Sequence, residues 1–327
     1  MLAWRKLASR VCPRKRIDNI AGEESVGQLF GLVHQTAHIT FVGAPIPSRR
    51  SQRKVVKPTD APLRRQDSGE PVAPFIAWVF ERVNLNPSVY RSSCLNRRLN
   101  ACLRRLRVST TEAAQKLLES RPELLHAALD SLLLGVSEFF RDAEVFTYFR
   151  EKVLPAMFER SERIRILSIG VSEGYELYSV AMLLAEMNAL DRVELVGMDC
   201  RPEAIRHARE GWFSERDMGG VSEELRSRYF SPEQRGWVAK ENIRSKIQWS
   251  VGNVLNLDGV GQSDIIFFRN LAIYLTGHHA DCAWSALFGK LSPNGMLVCG
   301  KADKPPASLH LTRIASCIYE KSRIVEL

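Results

Sequence analysis

The chain has 327 residues, 45% of them hydrophobic and 25% charged, which suits a folded globular protein with a sizeable core and excludes collagen-like or wholly disordered classes. A formal net charge of +9 invites a nucleic-acid or membrane reading, but residues 1–72 hold 13 Lys/Arg against 6 Asp/Glu, so seven of the nine charges belong to that stretch. The seven cysteines are scattered and never form a C-x-x-C pair, so reduced thiols in a cytoplasmic protein are expected rather than a disulfide or metal framework, and no run approaches the ~18 apolar residues of a membrane span.

Residues 1–72 mix clusters such as Arg14-Lys15-Arg16 and Arg53-Lys54 with Pro, Ser and Gly, and read as a basic, disordered extension. The acid-free opening MLAWRKLASRVCPRKR also fits an organelle transit peptide, whereas a secretory signal lacks its long apolar segment. A helical domain is expected over 73–150. After a short apolar helix at Phe75–Val83 comes SSCLNRRLNACLRRLRV, read as one amphipathic helix over Leu95–Arg107. Leu95, Leu99, Cys102, Leu103 and Leu106 share one face, and Arg97, Arg98, Arg104, Arg105 and Arg107 crowd the others. A solvated face accounts for such charge, yet five arginines in an otherwise near-neutral domain suit docking of an acidic partner. Further helices are predicted at Thr111–Ser120, capped by Ser109/Thr110, at Glu123–Leu134 and at Ala143–Phe158.

Over 151–327 the texture alternates. Strands are predicted at Ile164–Ile169, Val193–Met198, Ile247–Val251, Asp264–Phe267 and Met296–Cys299, with helices at Tyr175–Glu186, Pro202–Glu210 and His279–Leu291. That alternation implies an α/β fold with a Rossmann-like, doubly wound parallel sheet behind a small all-α domain, and a polar insertion near 212–245 reads as an added subdomain.

Ligands of such sheets sit at the carboxyl ends of the strands. The first strand runs into Gly170-Val171-Ser172-Glu173-Gly174, a turn where backbone can approach a ligand closely. The second ends at Asp199, whose carboxylate can accept two hydrogen bonds from ribose hydroxyls. The third leads to Asn253 and the fourth to Phe268-Arg269-Asn270. Alone, the glycine turn fits a nucleotide or a phosphate. GVSEG also fits G-x-S-x-G, the nucleophile elbow of α/β-hydrolases, with Ser172 as nucleophile. Against that reading, the preceding residues are helical, and His207, His278, His279 and His310 show no acid-histidine pairing pattern.

Five segments together, SEFFRD (Ser137–Asp142), GVSEGYELYS (Gly170–Ser179), MDCRPEAIRHAR (Met198–Arg209), GNVLN (Gly252–Asn256) and FFRNLAIYL (Phe267–Leu275), resemble the chemotaxis receptor methyltransferases, the CheR family, over roughly residues 75–320. The resemblance implies S-adenosylmethionine as methyl donor and a receptor glutamate as acceptor, in an acidic helical segment of a receptor-like protein. Neither a metal nor membrane insertion is implied. Carried over by position, Arg141 and Tyr274 are the catalytic candidates. Ser137, Arg141, Gly170, Glu176, Asp199, Asn253, Val254, Arg269 and Asn270 are the cofactor-binding ones, and Arg97, Arg98, Arg104 and Arg105 the docking set.

Several positions depart from the family pattern. Tyr175-Glu176 replaces two consecutive acids, and Leu177 the proline after them. Gly135 and Ser137 stand for Asn and Thr before the FFR motif, which removes an amide whose hydrogen bond is worth roughly 0.5–1.5 kcal/mol. Gly300-Lys301-Ala302-Asp303 replaces Gly-His-Ser-Glu, and the insertion lacks the glycine-rich turn associated with a receptor tail peptide. Two other readings stay open: a catalytically degenerate relative serving as a cofactor- or receptor-binding regulatory module, and a methyltransferase of this fold with another acceptor, its basic extension recruiting nucleic acid.

Overall fold

Alternation at period two organises the central sheet. In β1 (Ile164–Ile169), Ile164 and Ile166 enter one core while Leu167 and Ile169 enter another. The computed structural model describes residues 70–133 and 137–322. The basic extension lies outside them except for its last three residues, and Gly135 lies outside them too.

The helical part comprises α1 (Pro74–Arg82), α2 (Ser92–Asn96), α3 (Leu99–Leu106), α4 (Thr111–Ser120) and α5 (Leu125–Leu132). The single helix expected over Leu95–Arg107 is two helices, broken at Arg97-Arg98. Tertiary hydrogen bonds hold the break. Asn96 accepts from the Ala73 amide at 3.0 Å and donates to the Pro71 carbonyl, and Arg98 Nε donates to the Ser131 carbonyl at 3.1 Å. Thr110 caps α4 by accepting from the Ala113 amide.

Next, α6 (Ala143–Tyr148) and α7 (Leu154–Arg160) are joined by a π-turn over Phe149–Val153. Pro155 has no N–H to continue the α-helical ladder, and the wider turn absorbs the defect. After β1 come α8 (Tyr175–Glu186), β2 (Val193–Asp199) and α9 (Pro202–Glu210). The insertion is β3 (Trp212–Ser214), α10 (Glu223–Tyr229), β4 (Phe230–Glu233), β5 (Gly236–Ala239) and α11 (Glu241–Arg244), with a three-stranded antiparallel sheet in the order β3-β5-β4. Then follow β6 (Ile247–Val251), β7 (Ser263–Phe268), α12 (Gly277–Lys290), β8 (Leu291–Cys299), β9 (Leu311–Ala315) and β10 (Ile318–Lys321).

The main sheet runs β6-β2-β1-β7-β8-β10-β9. Its first five strands pair in parallel, as the alternating pattern implies, but β10 pairs antiparallel with β8 and β9. That closing hairpin is absent from the sequence expectation. Its strands, LTRIA and IYEK, carry weak apolar alternation, and the residue at its turn with positive φ is Cys317, where glycine or asparagine would have signalled a hairpin.

The helices α1 to α5 and α12 pack on one face of the sheet, and α6 to α9 with the insertion on the other. Val89, Tyr90 and Arg91 stitch the helical part to the loop after β7. Tyr90 bridges to Leu275, Arg91 N donates to the Tyr274 carbonyl at 2.8 Å, and Thr276 N to the Val89 carbonyl at 2.9 Å.

Candidate functional site

β1 continues through α8 to β2 on one side of itself, whereas β7 lies on its other side, so the chain's connections diverge between β1 and β7. At the carboxyl end of such a switch point a crevice opens. Here it is a cavity of about 390 Å³. The loops after β1, β2, β6 and β7 form its floor, and Val89, Tyr90, Leu95, Leu132 and Leu133 of the helical part form an apolar wall.

The structure brings all ten residues of the expected cofactor and catalytic sets, Ser137, Arg141, Gly170, Glu176, Asp199, Asn253, Val254, Arg269, Asn270 and Tyr274, to the walls of this one cavity. The docking set divides. Arg97 and Arg98, at the break between α2 and α3, reach the cavity rim, while Arg104 and Arg105 stand exposed beyond it.

Gly170 has φ +71°, and a Cβ there would meet Leu271 Cδ2 at 2.8 Å, so both conformation and space call for glycine. Four residues with side chains adopt the same left-handed region around the site: Phe140, Asp142, Ser172 and Asn270, at φ 52°, 60°, 53° and 57°. Such strain persists only where surrounding contacts impose it, and it gathers at ligand sites.

The contacts that impose it are visible. Phe140 N donates to Ser179 Oγ at 3.0 Å, and Phe139 wedges between Tyr175, Phe213 and Phe230 with ring centroids 4.8–5.6 Å away. Arg269 braces the loop from the other side. Its side chain is 3% exposed and donates to Asp142 Oδ2 (2.7 Å), the Arg141 carbonyl (2.6 Å) and Glu176 Oε2 (3.0 Å). Glu176 Oε1 accepts from Ser168, and Lys301 adds a second cation to Asp142 at 3.1 Å. A buried guanidinium left unpaired would cost several kcal/mol, so the two carboxylates are what permit it there. Arg269, read from sequence as lining an adenosyl site, lies on the cavity wall, and its guanidinium also braces the loop that carries Arg141.

Asp199, 6% exposed, has every lone-pair position engaged. Oδ1 accepts from Arg201 N (3.0 Å) and Nε (3.1 Å), and Oδ2 from Ser172 N (2.9 Å) and Arg201 Nη2 (3.5 Å). Burial opposes the charge on Arg201, but Asp199 beside it outweighs burial and raises the guanidinium's pKa. Burial has the opposite effect on the Tyr90 hydroxyl, raising its pKa; this hydroxyl faces Cys200 at 3.8 Å. Ser172 Oγ accepts from Arg201 Nη2 at 3.0 Å; a guanidinium cannot serve as a general base, so the hydrolase elbow has no activated nucleophile.

Tyr175, which replaces a family acid, is absent from the cavity wall. Its ring lies 5.1 Å from Phe139 and 5.0 Å from Phe213, beneath the insertion. Asp303, in the altered segment, is 4% exposed and accepts from the Gly300 and Asn270 amides beside the site. Sequence reasoning assigned no role to Arg201 or Tyr90. Arg201 lies two residues past Asp199 within a quoted motif, but nothing local shows a guanidinium folding back; Tyr90 reaches the cavity only through the long-range bridge to Leu275.

Residues 135–317 match the family described as "CheR methyltransferase, SAM binding domain". The chain is similar to "Chemotaxis protein methyltransferase 1" of Pseudomonas aeruginosa, 28% identical over 206 residues that span 60% of this chain and 75% of that one. It is also similar to "Putative methyltransferase Cher3" of Pseudomonas putida, 25% identical over 68% of this chain and 85% of that one. A third relative is "Probable biofilm formation methyltransferase WspC" of Pseudomonas aeruginosa, 26% identical over 70% and 56% respectively.

Proposed function

Because the chain belongs to the CheR methyltransferase family, an S-adenosylmethionine-dependent methyltransferase, we propose that it methylates glutamate side chains of a chemoreceptor-like protein. One observation carries this reading: Arg141 and Tyr274 share a single cavity with the glycine turn, Asp199 and Glu176. The names of the chemotaxis relatives support the choice of acceptor.

The residues present suit the cofactor. Gly170 lines the cavity floor in a conformation that only glycine adopts freely, Glu176 offers a carboxylate to an amino group, Asp199 receives ribose hydroxyls once two of its present donors withdraw, and Ile169, Val254 and Leu271 offer apolar surface to a base. Ser137, Asn253 and Asn270 add polar groups around them. S-adenosylmethionine supplies, when bound, a methyl group on a sulfonium leaving group.

The acceptor carboxylate is ionised near neutral pH, so no base is required. What the chain contributes is alignment and exclusion of water. Arg141 and Tyr274 orient the acceptor, and Arg269, Asp142 and Glu176 fix Arg141's loop. The arginines Arg97, Arg98, Arg104 and Arg105 meet the acidic helical segment of the receptor. The free cysteines of the described residues support a cytoplasmic setting, and no helix among those residues is long and apolar enough to cross a membrane.

Incubation with methyl-labelled S-adenosylmethionine and receptor-containing membranes should give base-labile label on the receptor. Cofactor binding without transfer would leave only the regulatory reading, and label in RNA would sink the chemoreceptor assignment.

A further inference from the structure

We propose that Arg201 is a positioning residue that couples cofactor binding to the seating of the helical wall by transferring its hold from Asp199 to Asp130. The inference rests on the reading above in which Asp199 receives the ribose. Asp199 is buried and already accepts four hydrogen bonds, so two ribose hydroxyls can be accommodated only if two present donors withdraw. Ser172 N and Arg201 N are backbone groups, held by the glycine turn and by the start of α9. The two that can leave are Nε and Nη2 of the Arg201 guanidinium, the latter at 3.5 Å the longest of the four.

The guanidinium has other partners within reach. Its Nη1 donates to Asp130 Oδ1 at 3.2 Å and to the Leu133 carbonyl at 3.5 Å, and its Nη2 to Ser172 Oγ at 3.0 Å. Asp130 lies in α5, and Leu133 is the residue that ends it. Leu132 and Leu133 form part of the cavity wall, and Arg98 at the rim is tied to Ser131 of the same helix. A buried guanidinium whose donors give up one carboxylate is costly unless they find another partner. Release from Asp199 therefore tightens the grip on α5, and with it the wall that faces the acceptor. Asp130 does not line the cavity, so its influence on binding runs through Arg201.

The test uses the full chain and S-adenosylhomocysteine as probe, with affinity by calorimetry and amide hydrogen exchange over residues 125–133. In the wild type the probe should increase protection there. Asp130→Asn should weaken binding roughly tenfold and lose that increase, and Asp130→Glu should restore both. A merely structural role for Asp130 would change unliganded stability without abolishing the ligand-induced protection. Should Asp130→Asn fold poorly, Arg201→Lys, which keeps the charge and loses the fork, should show the same two losses. Affinity within twofold of wild type together with an intact protection change would overturn the proposal. Asp199→Ala separates the two levels of argument. Its loss of binding beside an unaffected Asp130→Asn rejects the coupling alone, whereas its retention of binding rejects the ribose reading and the coupling with it.

Discussion

Tyr175 and Asp303 occupy positions where the sequence departs from its family, and the structure resolves them in opposite ways. Tyr175, the first residue of α8, is packed against Phe139 and Phe213, away from the cavity, so the loss of an acid there leaves the cavity's own carboxylates in place. Asp303 stays close to the site as a buried acid. Burial pushes its pKa up to about 6, against the pull of the Asn270 and Gly300 amides. The native state therefore holds this proton more tightly than the unfolded chain does. The resulting stability is complete below the ordinary carboxylate range and is lost as pH rises toward about 6. A raised pKa of this size corresponds to up to about 3 kcal/mol. Asp303→Asn should remove that slope, so that urea denaturation at pH 4.5 and 7 (roughly the two ends of the transition) shows the variant gaining on the wild type at the higher pH. A wild type and variant with parallel pH profiles would contradict this account of Asp303.

At the scale of elements, the break between α2 and α3 separates two kinds of arginine. Arg97 and Arg98 are brought to the cavity rim by the break, while Arg104 and Arg105 ride on the exposed side of α3, whose Cys102, Leu103 and Leu106 are buried. Charge reversal of the outer pair, Arg104→Glu with Arg105→Glu, should raise KM for the receptor roughly tenfold and more steeply at low salt. S-adenosylhomocysteine affinity should stay within about twofold, since neither side chain touches the cavity. An unchanged KM would place the acceptor elsewhere. The hydrophobic spacing of this region is legible in sequence, but the break is not, because it depends on Asn96 and Arg98 finding Ala73, Pro71 and Ser131 from other segments.

Across the whole molecule, the helical part and the sheet share a core. Leu95, Cys102 and Leu129 belong to the same buried cluster as Leu167, Ile169, Phe268 and Trp284. The described residues accordingly fall within one compact unit, Pro62–Leu327. Urea unfolding should follow a single transition with coincident tryptophan fluorescence and far-UV circular dichroism, and S-adenosylhomocysteine should move both to higher urea together. Two separated transitions would show that the helical part folds without the sheet.

The sequence by itself determined the alternation of strands and helices, the carboxyl-end loops and the family. Strand alternation, glycine turns and motif spacing are local properties, which explains why Ile164–Ile169, Tyr175–Glu186 and Pro202–Glu210 fall where their patterns place them. Only the tertiary structure decided which polar groups line the cavity and which face one another. Arg269 turns to Asp142 and Glu176, Arg201 folds back on Asp199 and Asp130, and Tyr175 leaves the site for an aromatic cluster. A buried charge takes whichever partners the packing brings within about 3 Å, and those partners come from segments distant in sequence.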